Sequence, residues 1–248
     1  MSLRLKYYKA KIRLLNAIGL RREGYIYGYK LYDKPLLISY SRSGTNWVRY
    51  FIEFTSKQPT PGFRRLIKDP NKAYFFDRAH AGYKVAHKHP KILLLVRNYR
   101  ECLVRHHGID VVRKYRGISS FLKAKLMEQP PSWYISNIQA FDKFTGPKLL
   151  VYYEDLVAKP ESTFKSIADF FGLSGVLYQD FINNLEHHKQ QSILAYSENQ
   201  QSKTAGSGQK LDHYTKAYLT PEEAKVFDEY FEINYPKLFK KYLEHYKI

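Results

Sequence analysis

Residues 36–47 read LLISYSRSGTNW. A short apolar run ends in a loop of small polar residues with one arginine and one glycine, and the loop closes on a tryptophan. Short apolar runs bounded by turn residues read as buried strands. A loop that leaves such a strand for a helix gathers backbone N–H groups about one point, where the helix dipole favours an anion. Gly44 permits close backbone approach, Ser43, Thr45 and Asn46 add side-chain donors, and Arg42 adds a permanent charge. The stretch therefore predicts a phosphate-type cradle. It lacks the longer glycine-flanked loop ending in Gly-Lys-Ser/Thr that holds a nucleotide with Mg²⁺. It also lacks the Gly-x-Gly-x-x-Gly turn of dinucleotide folds.

Two further runs repeat the pattern. KILLLV at 91–96 and KLLVYY at 148–153 are rich in branched residues and too short for ordinary helices. Helical patterns follow each of the three: Trp47 to Phe54, ECLVRHH at 101–107, and PESTFKSIADFFGL at 160–173, with Gly172 as its stop. Strand followed by helix, repeated, predicts a three-layer α/β/α domain with a central parallel sheet covered on both faces. Ser132 to Phe144 is expected to be another covering helix. Thr220-Pro221-Glu222-Glu223 supplies an N-cap, a first-turn proline and a capping-box glutamate for a C-terminal one. No repeat and no second boundary interrupts residues 1–248, so a single domain is expected.

Charge narrows the ligand class. Lys and Arg total 41 against 23 Asp and Glu, and the resulting +18 concentrates anions such as nucleotides, acidic glycans, nucleic acid or membrane headgroups. Residues 2–22 carry seven basic side chains and no acidic one, with apolar residues at helical spacing. They predict an amphipathic helix that docks on its own domain or lies as a peripheral contact on an anionic membrane. No run is long enough to span a bilayer, and the N-terminus lacks signal-peptide features. Cys102, the only cysteine, precludes an intramolecular disulfide and points to a reducing, cytoplasmic compartment. Residues 197–212, SENQQSKTAGSGQKLD, have almost no apolar content and read as a flexible loop.

Three ordered stretches carry a family resemblance. SYSRSGTNW resembles the 5′-phosphosulfate loop of the sulfotransferases that use 3′-phosphoadenosine 5′-phosphosulfate (PAPS). KILLLVRNYRECLVRHH is similar to that family's 3′-phosphate strand and helix, and LLVYYEDLVAKPESTFKSIADFFGL to its Tyr-Glu-Asp-Leu segment. The resemblance spans about residues 36 to 231. It implies a P-loop nucleotide-kinase-like sulfotransferase fold. It also implies an enzyme that moves a sulfuryl group from PAPS to an acceptor hydroxyl or amine and releases adenosine 3′,5′-bisphosphate (PAP), with no metal.

Position by position, the resemblance places Arg42, Ser43, Gly44, Thr45 and Asn46 around the 5′-phosphosulfate. It places Trp47 and Tyr153 beside the adenine and Arg97 on the 3′-phosphate, with Arg105 where the family commonly has serine. Lys203 is the nearest equivalent of a late basic segment. Arg42 stands where the family has a cation that steadies the departing phosphate oxygen. FDRAHAG at 76–82 resembles the segment that contains the family's catalytic histidine, which makes His80 the expected general base, ahead of His87 and His89.

Other residues read more plainly. His80, His87 and His89 lack the cysteine or carboxylate company of a metal site. Cys102 reads as a small buried apolar residue. Glu154 and Asp155, adjacent on a segment expected to be extended, would point to opposite faces, which suits caps or ion pairs better than acid–base work. His106-His107 and His187-His188 read as surface pairs. The expected acceptor is a small molecule, glycan or lipid rather than a specific nucleic acid. A nonenzymatic polyanion binder and a nucleotide-dependent kinase are the competing functions.

Overall fold

The structure is a computed structural model that describes residues 32–62, 64–69, 72–125, 129–197 and 219–248. The expected helix at 2–22 and Lys203 lie outside these residues, as does nearly all of the 197–212 loop. Four parallel strands form one sheet in the order β2-β1-β3-β4. They are β1 (Leu36–Ser39), β2 (Asp77–Ala79), β3 (Ile92–Val96) and β4 (Lys148–Tyr152). Every residue of β1 and β3 is buried. Their near-continuous apolar character is what a parallel sheet covered on both faces requires.

Successive side chains on a strand point to opposite faces, and the core divides accordingly. Leu36, Ile38, Ile92, Leu94 and Val96 pack one face under α2 (Tyr99–His107), α5 (Ser132–Lys143) and α10 (Pro221–Asn234). Leu37, Leu93, Leu95 and Val151 pack the other, under α1 (Thr45–Ser56), α7 (Pro160–Phe171) and α8 (Val176–Asn183). The described residues also include the helices α3 (Ile109–Lys114), α4 (Ile118–Leu122), α6 (Tyr153–Ala158) and α9 (Leu185–Ser197). The fold is the expected α/β type.

Local signals account for several boundaries. α7 starts on Pro160 and ends at Gly172 in the left-handed region (φ 70°), where a side chain would be strained. The capping box of α10 forms: the Glu223 N–H donates to Thr220 Oγ1 (3.2 Å), and Glu223 Oε2 accepts from the Thr220 N–H (2.9 Å).

Two readings are corrected, and one strand went unread. The stretch at 148–153 stops being a strand at Tyr152, and Tyr153, Glu154 and Asp155 open α6, where two carboxylates suit the positive end of a short helix. Strand β2 was not visible, because three residues containing the buried polar pair Asp77 and Arg78 carry no strand pattern. His188 is buried rather than on the surface, its Nδ1 3.1 Å from the Tyr50 hydroxyl and its ring stacked on Phe181.

Topology marks one crevice. The chain leaves β1 for β2 on one side and leaves β3 towards β4 on the other, so the C-terminal ends of β1 and β3 form the switch point at which open α/β sheets bind ligands.

Candidate active site

The loop after β1 and the residue after β3 meet at this crevice. Arg97 follows β3 directly, and its Nη1 donates to the carbonyl oxygen of Arg42 at 3.1 Å. The same guanidinium lies 4.2 Å from the ring centroid of Tyr153, the first residue after β4. That ring in turn closes over Gly44: a Cβ built there would stand 2.7 Å from Tyr153 Cε2, and φ at Gly44 is 86°. Only glycine fits a loop that is both left-handed and this close to an aromatic ring. Arg42 also adopts positive φ, 67°. A non-glycine residue there costs roughly 1–2 kcal/mol, and such strain concentrates where backbone geometry serves a ligand.

Three arginines converge. Arg105 lies two helical turns beyond Arg97 on α2, and its charge, after burial, helps to hold the Arg42 guanidinium below its ordinary pKa. Glu101 faces both α2-side arginines, with Arg105 Nε 2.6 Å and Arg97 Nη2 3.6 Å from Glu101 Oε2. Two guanidinium groups share the one carboxylate, which leaves an excess of positive charge beside Arg42. Arg105 therefore faces the cluster at the crevice.

The loop's small residues divide their roles. Ser43 is fully buried, with its hydroxyl 3.3 Å from Cys102 Sγ, so it anchors the loop to α2. Burial pushes that thiol up to about 12, which leaves Cys102 an inert packing group. Thr45 donates to Ser39 Oγ at 2.8 Å, and Asn46 Oδ1 accepts from Arg49 Nη1 at 3.1 Å. Trp47 packs edge-on to Phe164 at 4.9 Å and beside Phe181 at 5.2 Å, which makes it part of the α1–α7–α8 core.

His80 follows β2 and reaches the same edge of the sheet. Its Nδ1 lies 2.8 Å from the carbonyl oxygen of Ser39, the last residue of β1. A carbonyl only accepts, so Nδ1 carries the proton and Nε2 keeps a lone pair. Burial pushes the imidazole down to about 4, the charge of Arg78 adds to this, the Ser39 bond opposes it, and His106 adds a little more. The ring is neutral at pH 7 and oriented to accept a proton. The competing histidines sit elsewhere. His89 Nδ1 bonds the carbonyl of Lys34, before the start of β1, at the opposite edge of the sheet, and His87 is exposed.

Sequence reasoning missed three supporting features. Arg78 lies two residues before His80, and alternation along an extended segment puts both on one side. Asn137 on α5 donates to the carbonyl of His80 (2.7 Å) and accepts from the Tyr83 N–H (3.2 Å), clamping the turn after β2. Glu154 accepts from the Asn98 N–H (3.1 Å) and the Tyr246 hydroxyl (2.6 Å), which braces the residue after Arg97.

Behind the loop, buried Glu53 on α1 accepts from the backbone N–H groups of Thr60 (3.1 Å), Ile67 (3.0 Å) and Leu66. Arg49 pairs with Glu53 at 3.6 Å and reaches Thr60 Oγ1 at 2.9 Å. Together they pin the segment after α1. Only pairing rescues such charges from burial, and their i,i+4 spacing was the available signal.

The chain belongs to the sulfotransferase domain family, whose model matches residues 51–243. That span contains His80, Arg97, Arg105 and Tyr153, and it begins just after the phosphate-type loop. A WSCD family member from Aedes aegypti is 27% identical over 158 residues, which are 54% of this chain and 49% of the relative. The chain thus spans about half the length of that curated relative. Among solved structures, mouse sulfotransferase SULT7A1 complexed with PAP superposes with a TM-score of 0.56 at 16% identity, covering 87% of this chain and 90% of that one. At this identity the likeness is one of fold. The sulfotransferase domain of the Synechococcus PCC 7002 olefin synthase aligns with a TM-score of 0.39 at 13% identity, over 64% of this chain and 84% of that one.

Proposed function

We propose that this domain transfers a sulfuryl group from PAPS to an acceptor hydroxyl or amine and releases PAP. The observation that carries the reading is the convergence of Arg42, Arg97 and Arg105 on the crevice at which His80 presents an unprotonated Nε2. A cofactor with phosphate at one end and phosphosulfate at the other suits a site whose cations come from two loops. Arg97 and Arg105 hold the 3′-phosphate, with guanidinium geometry able to grip it bidentately. Arg42 and the N–H groups opening α1 hold the 5′-phosphosulfate, and the Tyr153 ring offers the adenine a face.

In the transfer step the acceptor oxygen or nitrogen attacks sulfur and forms the new bond. The bond from sulfur to the bridging phosphate oxygen breaks, and its electron pair stays on that oxygen, where Arg42 stabilises the charge. The acceptor's proton goes to His80 Nε2. Positioning and preorganised charge do most of the work, as in phosphoryl transfer.

A thermal-shift comparison tests the reading directly. PAP is expected to raise the melting temperature, and ATP with Mg²⁺ is not. Stabilisation by ATP with Mg²⁺ alone would replace the reading with a kinase. Salt-sensitive binding of any polyanion, with no preference for a 3′-phosphorylated adenine nucleotide, would replace it with a nonenzymatic binder.

A further inference from the structure

Asn137 ties two parts of the surface together. Its amide holds the carbonyl of His80 and the N–H of Tyr83, and Trp133 lies one turn earlier on the same face of α5. Because α5 leads back into β4, its first turn stands at the C-terminal edge of the sheet, and the Tyr134 hydroxyl there donates to the carbonyl of Arg97 at 2.6 Å. The partly exposed rings of Tyr83 and Trp133 have centroids 6.4 Å apart. Exposed Lys84 sets its ammonium 5.7 Å from the first ring and 5.4 Å from the second.

We propose that Tyr83, Trp133 and Lys84 form the acceptor subsite, and that the acceptor is a pyranose sugar carrying a carboxylate. This rests on the sulfotransferase reading and names its substrate class. Aromatic faces offer the apolar side of a sugar ring a large, rigid contact at low entropic cost. A cation held over those faces selects an anionic substituent. Mounting on Asn137 fixes the platform relative to His80, so a hydroxyl of the stacked sugar, or of its neighbour in a chain, comes to Nε2. A simple phenol would use the ring faces and leave the lysine with no role.

Intrinsic fluorescence can follow the platform. The chain has two tryptophans, and Trp47 packs among Phe164 and Phe181, so Trp133 is the reporter at the surface. An unsulfated hexuronate-containing tetrasaccharide and its carboxyl-reduced counterpart would be titrated into the full chain saturated with PAP. A saturable fluorescence change is expected with the first and roughly tenfold weaker binding with the second. W133F should abolish the change. Calorimetry should then find binding weakened by about tenfold or more in W133F and Y83A, and by roughly three- to tenfold in K84Q. PAP affinity should hold in all three, which also shows that they fold.

Equal binding of the neutral sugar would overturn the substrate class. A fluorescence change that survives W133F, or no saturable binding by the acidic sugar, would overturn the subsite. Failure of PAP to bind, with the glycan still captured at Trp133, would instead sink the sulfotransferase reading and leave the platform standing.

Discussion

His80 turns Nδ1 to the backbone carbonyl of Ser39 at 2.8 Å, so the end of one strand dictates the tautomer of the residue that follows its neighbour. The ring is thereby committed to accepting through Nε2. Replacing it with alanine removes the base and leaves the arginine cluster intact. His80→Ala should lower kcat by about 10²- to 10⁴-fold with PAP affinity unchanged. Single-turnover kinetics beside calorimetry would check this, and normal turnover with weakened PAP binding would refute the role.

The pH profile carries a signed expectation. A histidine pushed down to about 4 stays neutral, and competent as a base, well below the ordinary histidine range. The acid limb of kcat/KM, which reports the free enzyme, should therefore lie nearer pH 4 than 6.5, with a level profile between about 6 and 8. The same depression makes folding pH-dependent. The unfolded chain binds this proton more readily, so stability is full above about 6.5 and is lost as pH falls towards 4. An acid limb near 6.5 would place His80 in a wetter setting than the structure gives it.

Arg97 is braced by the Arg42 carbonyl, the Tyr153 ring and Glu101, and its role is separable from that of Arg42. Arg97→Ala should weaken PAP by about 10- to 100-fold, the range of a lost hydrogen bond to a charged group. Binding of adenosine 5′-phosphosulfate, which lacks the 3′-phosphate, should change much less. Equal losses for both ligands would show general damage to the crevice. Arg42→Ala should chiefly slow transfer, so a pure affinity loss would argue against its part in stabilising the leaving oxygen.

Gly44→Ala tests the cradle. The added methyl group meets the Tyr153 ring and must adopt φ near 86°. Destabilisation of about 1–2 kcal/mol from the backbone alone is expected, with a larger proportional loss of PAP binding because both loop and ring must move. A thermal melt and a PAP titration on the same sample would decide. Unchanged PAP affinity would show that the anion does not sit on this loop.

The Arg49–Glu53 pair is the structural counterpart. Glu53→Gln leaves a buried guanidinium without its carboxylate, and breaking a buried pair costs about 3–5 kcal/mol. Denaturant unfolding should show that loss. A change below about 1 kcal/mol would mean that water reaches the pair and screens it, as at a surface.

Where pattern was local, it was legible. Apolar runs bounded by turn residues located β1, β3 and β4, and helical spacing located the elements that follow them, since strand burial and helix amphipathicity both leave a period in the sequence. Thr220 and Glu223 announced their own cap. Strand β2 was silent because Asp77 and Arg78 are polar and buried, a combination that only neighbouring strands make tolerable. The α6 start at Tyr153 was hidden because an aromatic after an apolar run extends a strand pattern equally well.

The site divides in the same way. Residue types at short spacing marked Arg42 and Gly44, because a loop that grips an anion needs charge and a glycine, while Arg97, Tyr153 and His80 were marked by the family resemblance of their segments. Their assembly belongs to the tertiary fold. Strand order brings Arg97 to the carbonyl of Arg42 across 55 positions of chain and sets the Tyr153 ring on Gly44. It also chooses His80 over His89, one at the C-terminal edge of β1 and the other at its N-terminal edge. Contacts between distant segments depend on how strands are ordered and helices are stacked, and no spacing within one segment records that.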